Sequence, residues 1–419
     1  MRRAPVETLP GADVATVTTF AVVLLLAVLF SDLAERTVLS TAVLFLVAGI
    51  LAGPEVLGFV PVNQPLVGLL AQLALFTVLF TDGMKVRFRT LRSAWLLPTR
   101  ALVIGMPLTI GVTAVLAHFL TRLGWTESFV VGTVLSPTDP VFASAIVGRE
   151  GVPFRLRHLL NIESGLNDGL ALPVMVILLN LLRGQPAGVV HVIGELAAGL
   201  VLGAAVAWIL CLIERLRFLG VAPSHRPLFA FTAGLLVYCL SSWMGVNEYL
   251  ASFAAGITLG NLDPQVGGGG PSFGEQLTEL LKLGALLVFG ALISPGFLAS
   301  IDPAGYGFAV VTLLVARPAG LVIALYGSSL SGRERLAAMW FGPRGFASVV
   351  YGILVLESRV AFGQLMFHLI AATVALSIVA DSSTDVLVAR WLQPTRPDGG
   401  ETEPNTDRGP SPPDGDERP

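Results

Sequence analysis

The strongest constraint on this chain is a series of long apolar segments that recurs from residue 14 to residue 391. A helix that spans a bilayer needs about 20 mostly apolar residues, and lipid offers no partner to a free backbone group, so each segment predicts a spanning helix. About thirteen segments meet this criterion, at 14–31, 37–53, 65–82, 96–120, 127–148, 155–182, 187–213, 225–243, 246–262, 276–298, 304–328, 334–357 and 362–391. The sequence therefore predicts an all-α membrane protein.

The composition excludes several classes of protein. Of the 419 residues, 54% are hydrophobic and 13% are charged, whereas soluble domains carry about 25% charged residues. The net charge of -3 indicates no nucleic-acid partner. Both cysteines lie in apolar segments, which leaves no basis for a disulfide framework. The chain has no His-Glu-x-x-His motif and only five histidines, so it is not expected to be an enzyme.

Basic residues are distributed unequally between alternate loops. The densest group lies at 85–92, in the same set of loops as most other loop Lys and Arg residues. Because basic loops stay cytoplasmic, the sequence predicts an N-terminus outside the plasma (inner) membrane and a C-terminus in the cytoplasm. Residues 1–13 are predicted to form a short tail. Residues 392–419, rich in Pro, Gly, Asp and Glu, are predicted to be a disordered cytoplasmic tail.

Two predicted spans are interrupted by helix breakers. Span 5 carries Ser-Pro-Thr-Asp-Pro at 136–140, and span 12 carries Gly-Pro-Arg-Gly at 342–345. Backbone groups freed at such breaks must be satisfied by protein or water. The two spans are seven apart, so corresponding helices cross the membrane in opposite directions, as in inverted-topology repeats with a midplane site. The predicted six-helix repeats are 14–182 and 225–391, joined by a connector span at 187–213.

Span 6 contains a dense group of polar residues within an apolar segment. Glu163 and Asn167 are four residues apart, as are Ser164 and Asp168, so these side chains share one face of a helix. Their carboxylate, amide and hydroxyl oxygens are what a small hard cation needs in place of its hydration shell. Asp168 has no adjacent basic residue, and burial without a counter-charge favours the neutral form of a carboxyl group. Asp168 is therefore predicted to hold either a proton or a cation.

Predicted spans 10 and 11, in the C-terminal half of the chain, carry further ionisable residues. Arg317 in span 11 needs an anionic partner at membrane depth. A structural ion pair between Arg317 and Glu163 is favoured over direct roles for both in transport, because breaking a buried pair strands a charge. Glu279 and Lys282, three residues apart in span 10, are expected to pair with each other.

Both helix breaks also carry a charge. Asp139, at the break in span 5, is expected either to offset the positive N-terminal end of the following half-helix or to contact an ion through water. Arg344, at the break in span 12, is expected to offset the negative C-terminal end of a half-helix; packing near the cytoplasmic mouth is the alternative.

These motifs together resemble those of a known family. Across residues 14–391 the chain resembles the monovalent cation:proton antiporters of the NhaP and sodium/hydrogen-exchanger type, on Thr-Asp-Pro at 138–140, Glu-Ser at 163–164, Asn-Asp at 167–168, Arg-Pro at 317–318 and Arg-Gly at 344–345. The resemblance implies a six-helix transport domain around crossed spans 5 and 12, a separate dimerisation domain, and an elevator-like movement between them. It further implies a Na+ site made by Asp168, Glu163, Ser164 and the Thr138 carbonyl, with Asp139 and Asn167 in support. Members with Asn-Asp are usually electroneutral, which implies one proton for one cation.

The favoured hypothesis is a secondary active antiporter that exchanges a monovalent cation for H+ across the plasma membrane. Na+, with Li+, is the first choice of cation, and K+ is the alternative. These ions are cargo, and no resident cofactor is expected; the expected partners are membrane lipid and a second copy of the chain. The alternative from another class is a proton- or sodium-coupled symporter for an organic solute. Such a symporter would surround a substrate-sized cavity with aromatic or hydrogen-bonding groups, whereas the predicted site is compact and centred on a carboxylate.

Overall fold

The computed structural model describes residues 11–29, 41–60, 64–88, 95–139, 152–184, 188–216, 220–263 and 273–392. Within these ranges the chain is helical, and the only β-structure is a single isolated bridge. The fourteen main helices are α1 (Gly11–Leu29), α2 (Thr41–Ala52), α3 (Gln64–Lys85), α4 (Leu96–Thr121), α5 (Trp125–Val134), α6 (Phe154–Leu182), α7 (Gly188–Glu214), α8 (Arg226–Met244), α9 (Glu248–Leu262), α10 (Phe273–Leu292), α11 (Pro303–Ala324), α12 (Gly332–Trp340), α13 (Phe346–Glu357) and α14 (Gly363–Leu392).

Seven of these helices are long and apolar enough to cross a membrane, and three shorter helices are also apolar. The long ones are α3, α4, α6, α7, α8, α11 and α14; the shorter ones are α1, α2 and α13. Each predicted span coincides with helix over at least part of its length. Most of both predicted tails, and residues 140–148 of predicted span 5, lie outside the described residues.

One predicted span ends differently in the structure. The sequence predicts a single span at 276–298, but α10 ends at Leu292 and a separate one-turn helix covers Pro295–Ala299. Ser294 caps this second helix by accepting a hydrogen bond from the Phe297 backbone nitrogen at 3.0 Å. A capping serine followed by proline begins a helix well, and this local signal ends α10 although the apolar run continues.

The helices pack closely where glycine replaces a side chain. A Cβ atom at Gly256 of α9 would collide with the backbone carbonyl of Phe80 in α3, and one at Gly203 of α7 would collide with the carbonyl of Ala251 in α9. Gly49 of α2 and Gly290 of α10 face each other in the same way. Small residues at these contacts let the backbones approach, as expected of helices that associate in lipid.

Two helices share an unusual deformation. α4 contains a π-helical segment at Ala101–Gly105, and α11 contains one at Thr312–Ala316. Each segment is followed at the second position by a proline, Pro107 in α4 and Pro318 in α11. A proline has no N–H for the helix ladder, and π-turns are one way to absorb that loss. The deformed helices correspond to predicted spans 4 and 11, which are partners in the predicted inverted repeat.

Candidate functional site

The two helix breaks lie against each other. α5 ends at Val134 and α12 ends at Trp340. After each end the backbone continues without helix, over residues 135–139 and 341–345. Thr138 and Arg344 form an antiparallel bridge, and the Asp139 backbone nitrogen donates to the Pro343 carbonyl at 3.0 Å. Backbone groups freed by one break are thereby satisfied by the other, as non-helical chain at membrane depth requires.

The polar face of α6 lies against this crossing. Asn167 Nδ2 donates to Thr138 Oγ1 at 2.9 Å, and the Thr138 and Ser164 hydroxyl oxygens are 3.3 Å apart. All three side chains are buried. The structure thus brings together residues 26 or more positions apart in sequence, and it joins the break in span 5 to the polar face of α6 that also carries Asp168.

Asp168 has an unusual environment for a buried carboxylate. It is 5% exposed, and among the described residues its Oδ1 atom has no hydrogen-bond partner. The neighbouring Asn167 Oδ1 is likewise unpaired within the described chain. Buried polar atoms are normally satisfied, and an unsatisfied one in a native protein calls for an explanation such as a functional role. The Asp168 oxygen can accept a proton or a cation, and the Asn167 amide oxygen can accept a cation or a hydrogen bond.

Tyr351 fixes the backbone at the same residue. Its hydroxyl donates to the backbone carbonyl of Asp168 at 2.8 Å, and its side chain is fully buried. The bond joins α13, which follows one helix break, to α6. Sequence reasoning missed Tyr351, because a tyrosine in an apolar helix carries no signal of which neighbouring helix its hydroxyl will reach.

Glu163 and Arg317 form the expected ion pair. Arg317 Nη1 donates to Glu163 Oε1 at 2.7 Å, and Nη2 donates to Oε2 at 3.1 Å, which makes the contact bidentate. Arg317 Nε also donates to the Ala338 carbonyl at 3.2 Å. Both carboxylate oxygens of Glu163 are therefore engaged by the guanidinium group, an arrangement with high geometric specificity.

Lys282 contradicts the expected pairing within span 10. Its Nζ atom donates to Asp139 Oδ2 at 3.1 Å, instead of turning to Glu279 on its own helix. A lone lysine in an apolar helix needs an anion at membrane depth, and this signal was present in the sequence. Glu279 lies three residues before Lys282 on the same helix, so the sequence alone favoured Glu279 as the partner over an acid on another helix.

The backbone of Arg344 is hydrogen-bonded to α14. Its nitrogen donates to Ser377 Oγ at 2.8 Å, and Ser377 in turn donates to Asp381 Oδ2 at 2.8 Å. The side chain is 1% exposed, and its Nε and Nη1 atoms have no partner among the described residues. Ser377 and Asp381, both on α14, were not singled out from the sequence; their four-residue spacing was the available signal.

The chain shares its helical architecture and much of its sequence pattern with known transport proteins. A family model described as "Sodium/hydrogen exchanger, transmembrane" matches residues 21–390. The K(+)/H(+) antiporter NhaP2 of Shewanella baltica (strain OS223) is 27% identical over 373 residues, which cover 87% of this chain and 64% of that protein. The K(+)/H(+) antiporter NhaP of Alkalimonas amylolytica is 26% identical over 394 residues, or 90% of this chain and 67% of that protein.

A solved structure has the same fold. The sodium proton antiporter MjNhaP1 from Methanocaldococcus jannaschii at pH 8 superposes with a TM-score of 0.73 and 20% sequence identity, covering 91% of this chain and 99% of that one. This likeness confirms the predicted all-α fold class. The chain spans 64% of the length of the first relative named above. Since the family model covers the chain from residue 21 to residue 390, the chain belongs to the sodium/hydrogen exchanger family.

Proposed function

We propose that this protein is a secondary active antiporter that exchanges a monovalent cation for a proton, with Asp168 as the alternating carrier. One observation carries the proposal. Three carboxylates lie at the crossing of the helix breaks, and two of them contact a basic side chain, Glu163 through Arg317 and Asp139 through Lys282. Asp168 instead has a buried oxygen with no partner in the described chain. Of the three carboxylates, Asp168 is therefore best placed to exchange a bound proton for a bound cation.

The exchange follows from this environment. A buried carboxylate that no basic side chain contacts is costly to keep charged, so Asp168 favours a state in which either a proton or a cation neutralises it. The proton-bound state and the cation-bound state of Asp168 exclude each other. In either state the site is neutralised and can move across the membrane with its bound ion. Ser164, Thr138 and Asn167 supply neutral oxygens for the cation state, and the charge of Glu163 is balanced by Arg317. One proton for one cation is the resulting stoichiometry, and Asn167 adds no titrating group.

The identity of the cation has two candidates. Na+, with Li+, is the first, because hard oxygen ligands suit it and a solved structure of the same fold is named a sodium proton antiporter. K+ is the second, because two relatives at 26–27% identity are named K(+)/H(+) antiporters. The oxygen ligands are of the same type for both ions, so a transport assay has to separate them.

The arrangement in the membrane belongs to the same proposal. The protein lies in the plasma membrane with its N-terminus outside and its C-terminus in the cytoplasm, in keeping with the distribution of basic loops. It works as a homodimer, and its two inverted repeats place the crossing of the broken helices near the midplane. The π-helical segments at matching places in α4 and α11 support that repeat.

Everted membrane vesicles from an antiporter-deficient bacterium provide the test. A pH dye reports the collapse of a respiration-driven proton gradient when sodium, lithium or potassium is added. We expect one or more of these cations to dequench the dye, and Asp168→Asn to abolish the response. Asp302→Asn is the matched control, because Asp302 is an exposed acid that makes no capping bond at the start of α11.

Three other outcomes are informative. A response to potassium alone keeps the mechanism and changes the cargo. Full exchange by Asp168→Asn would contradict the role of Asp168. No proton movement with any cation at any pH would reject cation/proton antiport, and a symporter for an organic solute would then become the hypothesis to test.

A further inference from the structure

The turn of α6 that follows Asp168 has weak support from its own helix. Pro173 lies inside α6, and a proline has no N–H to donate to the carbonyl four residues earlier, which here belongs to Gly169. Gly169 is itself a poor helix former. The helix ladder therefore loses a hydrogen bond directly after Asp168, and contacts from other helices have to hold the backbone of this turn.

Two other helices contact this turn. A Cβ atom at Gly169 would lie 2.8 Å from the ring of Phe253 in α9, so that ring lies directly against the helix backbone. From α13, the Tyr351 hydroxyl donates to the Asp168 carbonyl at 2.8 Å. Both aromatic side chains are buried. A hydrogen bond is directional whereas apolar packing is not, so the bond from Tyr351 restricts the position of the Asp168 backbone more closely.

The Asp168 carboxyl group depends on its backbone for its position. Its Oδ1 atom has no hydrogen-bond partner among the described residues, so no neighbouring side chain there orients that oxygen. Ser164 and Asn167, by contrast, are each hydrogen-bonded to Thr138. The distance between the Asp168 carboxylate and these site oxygens therefore follows from the position of the turn, which the bond from Tyr351 restricts.

Tyr351 also connects Asp168 to the second helix break. α13 begins at Phe346, directly after that break, and Arg344 within the break is bridged to Thr138 in the first one. One hydroxyl group thereby joins the Asp168 backbone to the same crossing of broken helices that supplies Thr138 to the site.

From this geometry we infer that Tyr351 is a positioning residue for cation binding, which holds the Asp168 carboxylate at its place beside the Thr138 and Ser164 oxygens. The inference rests on the proposed function and deepens it. A bound cation needs several oxygens around it at once, so its affinity falls when one ligand is displaced. A site that has bound its cation can still cross the membrane at the usual rate. Loss of the Tyr351 hydroxyl should therefore change the apparent KM for the cation and spare the maximal rate.

Tyr351→Phe tests the inference, because it removes the hydroxyl and keeps the ring. In everted vesicles, a pH dye records exchange as the concentration of sodium chloride or potassium chloride is raised, and immunoblotting measures the amount of protein in the membrane. We expect the apparent KM for the cation to rise about three- to tenfold, as for the loss of one buried hydrogen bond, with a maximal rate per protein within about twofold of wild type.

Tyr249→Phe is the matched control. Tyr249 is also a buried tyrosine, and its ring packs against that of Tyr238 with 5.9 Å between the centroids. This variant should keep the wild-type KM, and an equal rise of KM in both variants would overturn the inference. A lowered maximal rate at unchanged KM in Tyr351→Phe would also overturn it, because a merely structural role changes the amount of active protein and leaves cation affinity alone.

A second variant decides if Tyr351→Phe does not fold. Phe253→Leu loosens the same turn from α9, and we expect it to raise the apparent KM at an unchanged maximal rate per protein. An unchanged KM in this variant would then overturn the inference. Absence of proton movement in wild type with every cation would overturn the proposed function itself, whereas wild-type exchange with an unchanged KM in Tyr351→Phe overturns the positioning role of Tyr351 alone.

Discussion

At the scale of single residues, the site distinguishes its carboxylates by their partners. Glu163 is bound by a bidentate guanidinium group, Asp139 by an ammonium group, and Asp168 by neither in the described chain. The three acids are chemically alike, so their separate roles come from the side chains that neighbouring helices supply. This makes the positive residues as important to the proposed exchange as the acids.

The Glu163–Arg317 pair gives a prediction about stability. Glu163→Leu leaves a buried guanidinium that cannot readily lose its charge, so we expect the free energy of unfolding to fall by about 3–5 kcal/mol. Glu163→Leu/Arg317→Met removes both charges and should cost less than the single change. Denaturation of the purified protein in detergent measures both.

The control for this prediction is an exposed pair. Glu195 lies 3.1 Å from His191, and their side chains are 37% and 80% exposed. We expect Glu195→Leu to change stability by no more than about 1 kcal/mol, since solvent screens such pairs. If the double variant at Glu163 and Arg317 proves as unstable as Glu163→Leu, the loss has another source, such as the bond from Arg317 to the Ala338 carbonyl.

Sequence reasoning succeeded at this scale where a residue had one plausible partner. Arg317 was a lone cation in its span. Of the two acids on the polar face of span 6, Asp168 was assigned to the exchanged ion, which left Glu163 as the partner of Arg317. Lys282 had an acid three positions away, and helical spacing alone favoured the wrong partner. Tyr351 could not be placed at all, since the contact to Asp168 depends on how α13 is rotated against α6.

At the scale of helices, packing is governed by glycines whose replacement would meet backbone. Gly203 on α7 contacts Ala251 on α9, and Gly199 on the same helix face lies against the Asn247 backbone. Backbone atoms cannot move aside as a flexible side chain can. The distance between α7 and α9 is therefore set by the absence of a side chain at two positions one helical turn apart.

Gly203→Ala tests this contact. The added methyl group has to push α7 away from α9, and we expect a loss of about 1–3 kcal/mol in the free energy of unfolding, the usual cost of overpacking. Gly194→Ala on the same helix is the matched control, because a Cβ atom there meets nothing within 4 Å. It should be neutral or stabilise by up to about 1 kcal/mol through helix propensity. Equal effects of the two changes on thermal unfolding would contradict the packing argument.

The sequence predicted helices better than their ends. The break of span 12 was predictable because Gly-Pro-Arg-Gly contains three residues that oppose helix, and the structure has a gap between α12 and α13 there. The end of α10 was not predicted, because Ser294 and Pro295 lie in an apolar run that hydropathy treats as one segment. The π-helical segments also escaped prediction, since hydrophobic periodicity does not distinguish them from α-helix.

At the scale of the whole molecule, the proposal specifies which loops face the cytoplasm and which face the outside. In the predicted alternation of spans, the loops richest in basic residues lie on one side of the membrane. This asymmetry directs insertion into the membrane, so the packing of the helices against one another carries no record of it. α11 separates two short segments that the proposed topology places on opposite sides of the membrane. Asp302 precedes the helix, Ser329 follows it, and both residues are exposed.

Single cysteines at these two positions report the orientation. In a background of Cys211→Ala and Cys239→Ser, we expect Asp302→Cys to react with a membrane-impermeant maleimide in intact cells. Ser329→Cys should react only after permeabilisation, because the proposed topology puts it in the cytoplasm. The reverse pattern would invert the orientation and leave the fold intact. Labelling of both positions from outside would instead show that α11 does not cross the membrane, and the predicted alternation of spans would then be wrong at this helix.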